Sequence, residues 1–543
     1  MPRLFVFRAA VVCAAIAASA SSGIVAQSGR AVPPVTYDDL LNGLKNPSNW
    51  LMYSGDYTGQ RHSPLKQITP ENASRLAAQW TFQTETMARG RGFEATPLVI
   101  DGVIYATGPN DYAWAMDART GHMFWRYRRD LPNNLTYGAS VPVNRGFGVL
   151  GDRLFMTTLD AHLISLDRRT GAVLWDDVLA DYKIGHSATV SPLVLKDKII
   201  VGISGGDYPT RGFLDAYDPA TGKRIWRLYT VPAPGEPGSE TWPASPVQLA
   251  RGGAATWVTG SYDVETNTLF WGTGNPNPDY YGEDRKGENL YTCSLLSIDA
   301  DTGTVKWYYQ FTPHDLHDWD SNHVPVLADL TIGGRPHKVV MVANRNGFFY
   351  VLDRTNGKVL LGKPFTDTTW ARELGPDGHP LVLNEGDKGC IPDNWGGTNF
   401  MPPSYDPDLK LFFVTARETC AQYAPTHQTI APGQFSLSGT VRRDLDKQYG
   451  ALRAIDPTTG ERKWEFRFTT PSFAGVLSTA GGVVFDGDNE GNFMAFDART
   501  GKNLWHYQTG SPIWGGAPMT YMLDGKQYVV IGSGATITAF ALP

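Results

Sequence analysis

Charge is scarce in this chain of 543 residues: Asp, Glu, Lys and Arg together make up 19% of it, against 42% hydrophobic residues. That balance excludes a disordered chain or a coiled coil and points to a large packed core. No basic block stands anywhere along the sequence and the formal net charge is −6, which argues against nucleic acid as a partner. Cysteine is rarer still, with 4 in all and neither CxxC nor CxxCH. A paired-cysteine zinc site and a covalent c-type haem are therefore absent, and any electrons this protein handles must leave to a separate carrier. Long apolar runs are missing beyond the amino terminus, so no membrane span is expected.

The amino terminus itself reads as a signal peptide over residues 1–26. Arg3 and Arg8 flank the start, Val11 to Ala20 is apolar and small, and Ile24-Val25-Ala26 offers a cleavage site. The expectation is a protein of the bacterial periplasm, cleaved near Ala26, with residues 27–543 as a single domain. Export removes Cys13 and leaves Cys293, Cys390 and Cys420 in a compartment that permits disulfides. Cys390 with Cys420 is the expected pair.

Glycine (58), proline (37), tryptophan (16) and tyrosine (24) are plentiful, the composition of many tight turns between strands. One pattern recurs seven times: an Asp after a small or apolar pair, Gly four residues on, and a large apolar residue four beyond that. The copies are Asp117-Gly121-Trp125, Asp167-Gly171-Trp175, Asp218-Gly222-Trp226, Asp299-Gly303-Trp307, Asp353-Gly357-Leu361, Asp456-Gly460-Trp464 and Asp497-Gly501-Trp505. Each is a hairpin in which Asp closes the turn, Gly supplies positive φ and the second strand carries the Trp. Such units bury both faces only when stacked radially, so the expected fold is all-β, a propeller of four-stranded antiparallel blades. Leu76 to Gln83, with Trp80, and Ile537 to Leu542 together suggest an eighth blade that joins the termini. Long insertions after the third and fifth copies are where chemistry is expected.

Three stretches outside the repeats carry polar chemistry. His314 to His323 holds three acids and three histidines in ten residues. If it is extended, Asp318 and Asp320 share a face and can share a hard cation; a zinc site at His314 and His317 is the competing reading. Gly272 to Pro278, containing Asn275, is a rigid turn after an apolar strand. Gly202 to Asp207 combines flexible backbone with a further carboxylate. None of the glycine clusters opens a helix at a Rossmann spacing, so nicotinamide binding is disfavoured.

Together with Gly90 to Pro97, Asn144-Arg145-Gly146, Trp257, Thr312 to Asp320, Asn344 to Gly347 and Gly515 to Pro518, these stretches resemble the pyrroloquinoline quinone (PQQ) dependent alcohol dehydrogenases, the family of methanol and ethanol dehydrogenases. The resemblance covers nearly the whole mature chain and implies an eight-bladed propeller with PQQ and one metal ion near its axis. It implies Asp318 as catalytic base and Arg345 as partner of the quinone oxygens. It also implies Asp207, Asn275, Asp318 and Asp320 as metal ligands, and Trp257 as the plane under the cofactor. Glu94, Arg145, Thr189, Ser204, Gly205 and Asn399 match its polar contacts at the cofactor rim. The implied reaction takes a small alcohol to an aldehyde or ketone and passes electrons to an external cytochrome c.

Three departures stand out. Ala139-Ser140 replaces the adjacent cysteine pair of many relatives, Asp207 replaces Glu, and the relatives' Trp near Phe473 is missing. Asp320 resembles the lanthanide-dependent branch while Asp207 argues the other way, so lanthanide and calcium both stay open. A PQQ-dependent sugar or polyol dehydrogenase and a non-catalytic propeller scaffold remain as alternatives, and a homodimer is compatible with the sequence.

Overall fold

Alternating apolar strands and Asp–Gly turns produce the expected ring. The computed structural model describes residues 33–86, 92–135, 142–383 and 392–543. Eight four-stranded antiparallel sheets form the blades of a β-propeller. Blades 1 to 7 take their four strands in chain order from 98–128, 148–178, 193–229, 261–310, 326–364, 404–468 and 477–508, with the sixth interrupted by a hairpin between its second and third strands. Blade 8 closes the ring: Met519–Leu523, Lys526–Ser533 and Thr536–Ala541 from the C-terminus are completed by Ala77–Gln83 from the N-terminus, with Trp80 opposite Ala539. Blade 7 gains a fifth, parallel strand, His62–Ser63.

The repeat residues do structural work at the seams between blades. Asp117 Oδ1 accepts the N–H groups of Arg119 and Thr120, and Gly121 adopts φ of +72°. Each repeat Trp then leaves its own blade to cover the turn of the next. Trp125 Nε1 donates to Arg168 O at 3.0 Å, and a Cβ on Gly171 would stand 2.7 Å from its ring. The same lock joins Trp175 to Gly222, Trp226 to Gly303, Trp307 to Gly357 and Trp464 to Gly501, while Trp80 of the closing blade covers Gly121. At the fifth copy, Leu361 leaves Gly460 facing the stem of Lys363 instead.

The insertion after the fifth copy adds two hairpins outside the blades, Ala371–Leu374 with Pro380–Val382, and Ala421–Pro425 with Gly439–Arg443, while the insertion after the third copy carries only the short helical turns Ser239–Thr241 and Pro246–Leu249 before blade 4. Several expectations fall outside the described residues: the signal peptide 1–26, Gly90-Arg91, Ala139-Ser140 and Cys390, and with Cys390 the pairing to Cys420. Cys293 is a free, fully buried thiol. Among the described residues no helix is long and apolar enough to cross a membrane.

Candidate active site

The connections between blades converge on one cavity of about 330 Å³. Arg145, Thr189, Trp257, Asp318, Asp320, Asn399, Phe473 and Trp514 reach it from successive blade-to-blade segments, whereas Ser204 to Asp207, Asn275 and Arg345 come from turns within blades 3, 4 and 5. Of the residues expected at the site only Glu94 is not on the wall. It stands behind Arg145, which donates to Glu94 Oε2 at 2.7 Å and to Thr189 Oγ1 at 2.5 Å; Thr189 in turn bonds Ser204 Oγ at 3.1 Å. The guanidinium of Arg145 lies 4.8 Å from the Trp257 ring centroid and 5.0 Å from that of Phe400.

On the opposite side Arg345 organises the acids. Its Nη2 donates to Asp320 Oδ2 at 2.8 Å, and its Nη1 donates to the carbonyls of Asp318 and Asn394 and lies 3.5 Å from Asp318 Oδ1. Asp320 is heavily used: Oδ2 also accepts Trp257 Nε1 and Oδ1 accepts Asn275 N–H at 2.6 Å. Asp318 sits at φ +61°, in the left-handed region that disfavours side chains, a strain typical of functional positions. Burial raises both carboxyls above their usual range; for Asp318 the neighbouring Asp207, Asp320 and Asp315 push the same way, while Arg345 opposes. His323 is a brace. Its Nδ1 bonds Asn399 O and its Nε2 accepts Arg345 N–H, and burial lowers its pKa to about 3, so the ring is neutral.

Sequence reasoning missed several members of this site. Asn394 gives its backbone carbonyl to Arg345 and its Nδ2 to Asp318 Oδ2 at 3.3 Å, while its Oδ1 accepts from Arg443 of the second insertion hairpin. Trp395 and Trp514 were also missed, and they form an aromatic wall with Phe473, the position singled out in the sequence, which stacks on Trp514 at 4.0 Å. Phe435 and Leu437 line the cavity from the same insertion as Arg443. Only the proximity of Asn394 and Trp395 to Asn399 in the chain hinted at them. His314 Nδ1 is bonded to Gly287 O and His317 is stacked on Trp319 at 4.1 Å, and among the described residues neither belongs to a group of three His, Cys, Asp or Glu ligand atoms within 4.8 Å of one another, which disfavours the zinc reading.

The residues present fit a planar polyanion and a hard cation. Arg145 Nε, Arg345 Nε and Glu94 Oε1 are buried without a hydrogen-bond partner, which is costly unless a ligand completes them. Asp207, Asn275, Asp318 and Asp320 bring three carboxylates and an amide oxygen to the cavity, Asp318 and Asp320 buried and Asp207 half-buried, the hard-oxygen donor set a cation of high coordination takes. Glycine keeps their oxygens open: a Cβ on Gly206 would lie 2.7 Å from Asn275 Oδ1, and one on Gly274 2.5 Å from Asp320 Oδ1. Among the described residues the one group of three His, Cys, Asp or Glu ligand atoms gathered within 4.8 Å is elsewhere, at His62, Asp406 and Asp408. The cavity acids therefore stand further apart.

An eight-bladed propeller with an axial cavity built from arginine, acid and indole defines a cofactor-holding enzyme of the propeller class. Residues 50–364 and 444–529 match the family model for the PQQ-containing β-propeller domain of glucose, ethanol and alcohol dehydrogenases. The chain is 37% identical to quinoprotein alcohol dehydrogenase PedH of Pseudomonas putida, over 93% of this chain and 89% of that one. It is 35% identical to the lanthanide-dependent methanol dehydrogenase of Methylacidiphilum fumariolicum, over 92% and 86%. Among solved structures, a europium-containing methanol dehydrogenase superposes with a TM-score of 0.88 at 32% identity, covering 93% of this chain and 100% of that one. The chain belongs to the PQQ-dependent alcohol dehydrogenase family and is an oxidoreductase acting on alcohols.

Proposed function

We propose that the protein works in the periplasm, oxidising a small, primary alcohol to its aldehyde with PQQ and one metal ion in the axial cavity and delivering electrons to an external cytochrome c. The observation that carries this reading is the convergence of Asp318, Arg345, Asn275 and Trp257 on one cavity in which Arg145 Nε and Arg345 Nε are buried without a hydrogen-bond partner. Bound there, PQQ supplies a hydride acceptor and the ion a Lewis acid. Trp257 offers a flat indole face for stacking, and Arg145, Thr189, Ser204, Gly205 and Asn399 hold the cofactor rim, with Glu94 behind Arg145 orienting its guanidinium toward a cofactor carboxylate. Asp207, Asn275 and Asp318 hold the ion, with Asp320 as an added ligand.

Asp318 takes the proton of the alcohol hydroxyl on its carboxylate. Asn394 Nδ2 and Arg345 steady that carboxylate in its ionised form, and Arg345 places positive charge where negative charge builds during the reaction. Trp395, Phe473 and Trp514 exclude water from the apolar side of the substrate.

Three carboxylates favour a trivalent, high-coordination ion, and a relative named lanthanide-dependent supports the same choice. The bonds from Asp320 to Arg345, Trp257 and Asn275 favour a second reading, in which Asp320 is scaffold and calcium the ion. Export is tested by sequencing the amino terminus of the secreted protein, expected at Gln27. For the base, Asp318→Asn is expected to lower kcat by about 10²–10⁴-fold while bound PQQ, read by absorbance, stays stoichiometric. Turnover within threefold of the unsubstituted enzyme would remove Asp318 from that role.

A further inference from the structure

We propose that Asp279 is the positioning residue for Asn275, holding the amide so that its oxygen faces the cavity; the inference rests on the reading of Asn275 as a metal ligand. An amide has two unlike ends, and only the oxygen can bind a cation. Which end faces the ion is therefore decided by what stands behind it. Asn275 Nδ2 donates to Asp279 Oδ1 at 2.9 Å and to Pro276 O at 3.3 Å. With both acceptors on the nitrogen, Oδ1 is turned the other way, to where a Cβ on Gly206 would touch it.

Asp279 is wholly buried and its second oxygen has no hydrogen-bond partner among the described residues, so this carboxylate gives the fold little in return for its burial. Its place is fixed from beneath. Arg285, also wholly buried, donates from Nε to Pro278 O and from Nη2 to Asp279 O, each at 2.8 Å, and from the same Nη2 to Asp315 O at 2.5 Å. The backbone under Asp279 is thus tied to the loop that carries Asp318 and Asp320. From the other side, Asn275 N–H is held by Asp320 Oδ1. The amide is oriented relative to the proposed base from both ends of its own residue, and loss of the Asp279 carboxylate frees it to present N–H groups to the cation.

The test is a titration of the metal-stripped mature chain with terbium(III), read by luminescence sensitised through tryptophan. Asp279→Ala is expected to weaken terbium binding by about 10–100-fold, the range for partners that orient metal ligands. The thermal midpoint of the metal-free protein should stay within a few degrees. In an Asn275→Ala background the same substitution should change nothing further, because its route to the ion is gone. Asp279→Asn, which keeps the volume and one acceptor oxygen, should recover most of the loss. An unchanged affinity for Asp279→Ala, or an equal loss in both backgrounds, would overturn the positioning role. Failure of the metal reading itself shows separately, as an Asn275→Ala chain that binds terbium like the unsubstituted one.

Discussion

At the scale of single residues, the site was legible where chemistry demands a particular side chain in a particular turn. Asp318, Arg345, Asn275 and Trp257 come from short motifs in the sequence and meet in the cavity. Asn394, Arg443 and Asp279 were not legible, because their roles depend on approaches the chain does not announce. Asn394 meets Asp318 across 76 residues and Arg443 across 49. Away from the site, Asp111 makes a cleaner titration probe. Its Oδ2 accepts Leu159 N–H at 2.7 Å, and burial, helped by Asp160, raises its pKa to about 8. The folded state therefore keeps a proton that the unfolded chain releases near pH 4, so the stability this group contributes is present at low pH and is lost as pH rises towards 8. Asp111→Asn mimics the protonated form: its thermal midpoint should match that of the unsubstituted protein below about pH 4 and exceed it increasingly up to about pH 8. Parallel pH profiles for the two proteins would contradict this. Thiol titration in denaturant without reductant should find only Cys293 in the mature chain if Cys390 and Cys420 are paired, and three thiols if they are not.

At the scale of elements, the Asp–Gly–Trp repeat was legible because each part acts locally, the turn through Asp and Gly and the strand through Trp. What the repeat did not disclose is the direction of the Trp, which locks onto the glycine of the following blade and not its own. That geometry makes the seams strong and specific. Trp226→Ala removes an indole that is nearly buried and bonded to Ala300 O, and should cost roughly 3–5 kcal/mol in urea unfolding. A loss under 1 kcal/mol would mean that the seam is held elsewhere. Both insertions reach the cavity, the stretch after the third copy through Trp257 and Asn275 and the stretch after the fifth through Asn394, Trp395, Asn399, Phe435, Leu437 and Arg443.

At the scale of the whole molecule, closure of the ring makes an axial cavity possible. The last strand, Thr536–Ala541, pairs on both sides, with Ala77–Gln83 and with Lys526–Ser533, so the two ends of the chain clasp one blade. Removing residues 536–543 leaves an edge on each neighbour and should abolish cooperative thermal unfolding together with PQQ binding. A truncated chain that melts within a few degrees of the intact one would show that the clasp is dispensable. The eighth blade could be anticipated from Trp80, which repeats the Trp of the other blades, whereas the repeats alone do not disclose the cavity, since its wall is assembled from segments between and within many blades.

The central claim is that this cavity holds PQQ and a hard metal ion for alcohol oxidation. Its most direct test is reconstitution of the exported, metal-free protein with PQQ, separately with calcium and with a light lanthanide, followed by absorbance, elemental analysis and dye-linked ethanol oxidation. The account predicts a stoichiometric quinone chromophore, one bound ion and turnover that depends on the metal, with the lanthanide the more effective. Absence of both chromophore and turnover with either metal would contradict it.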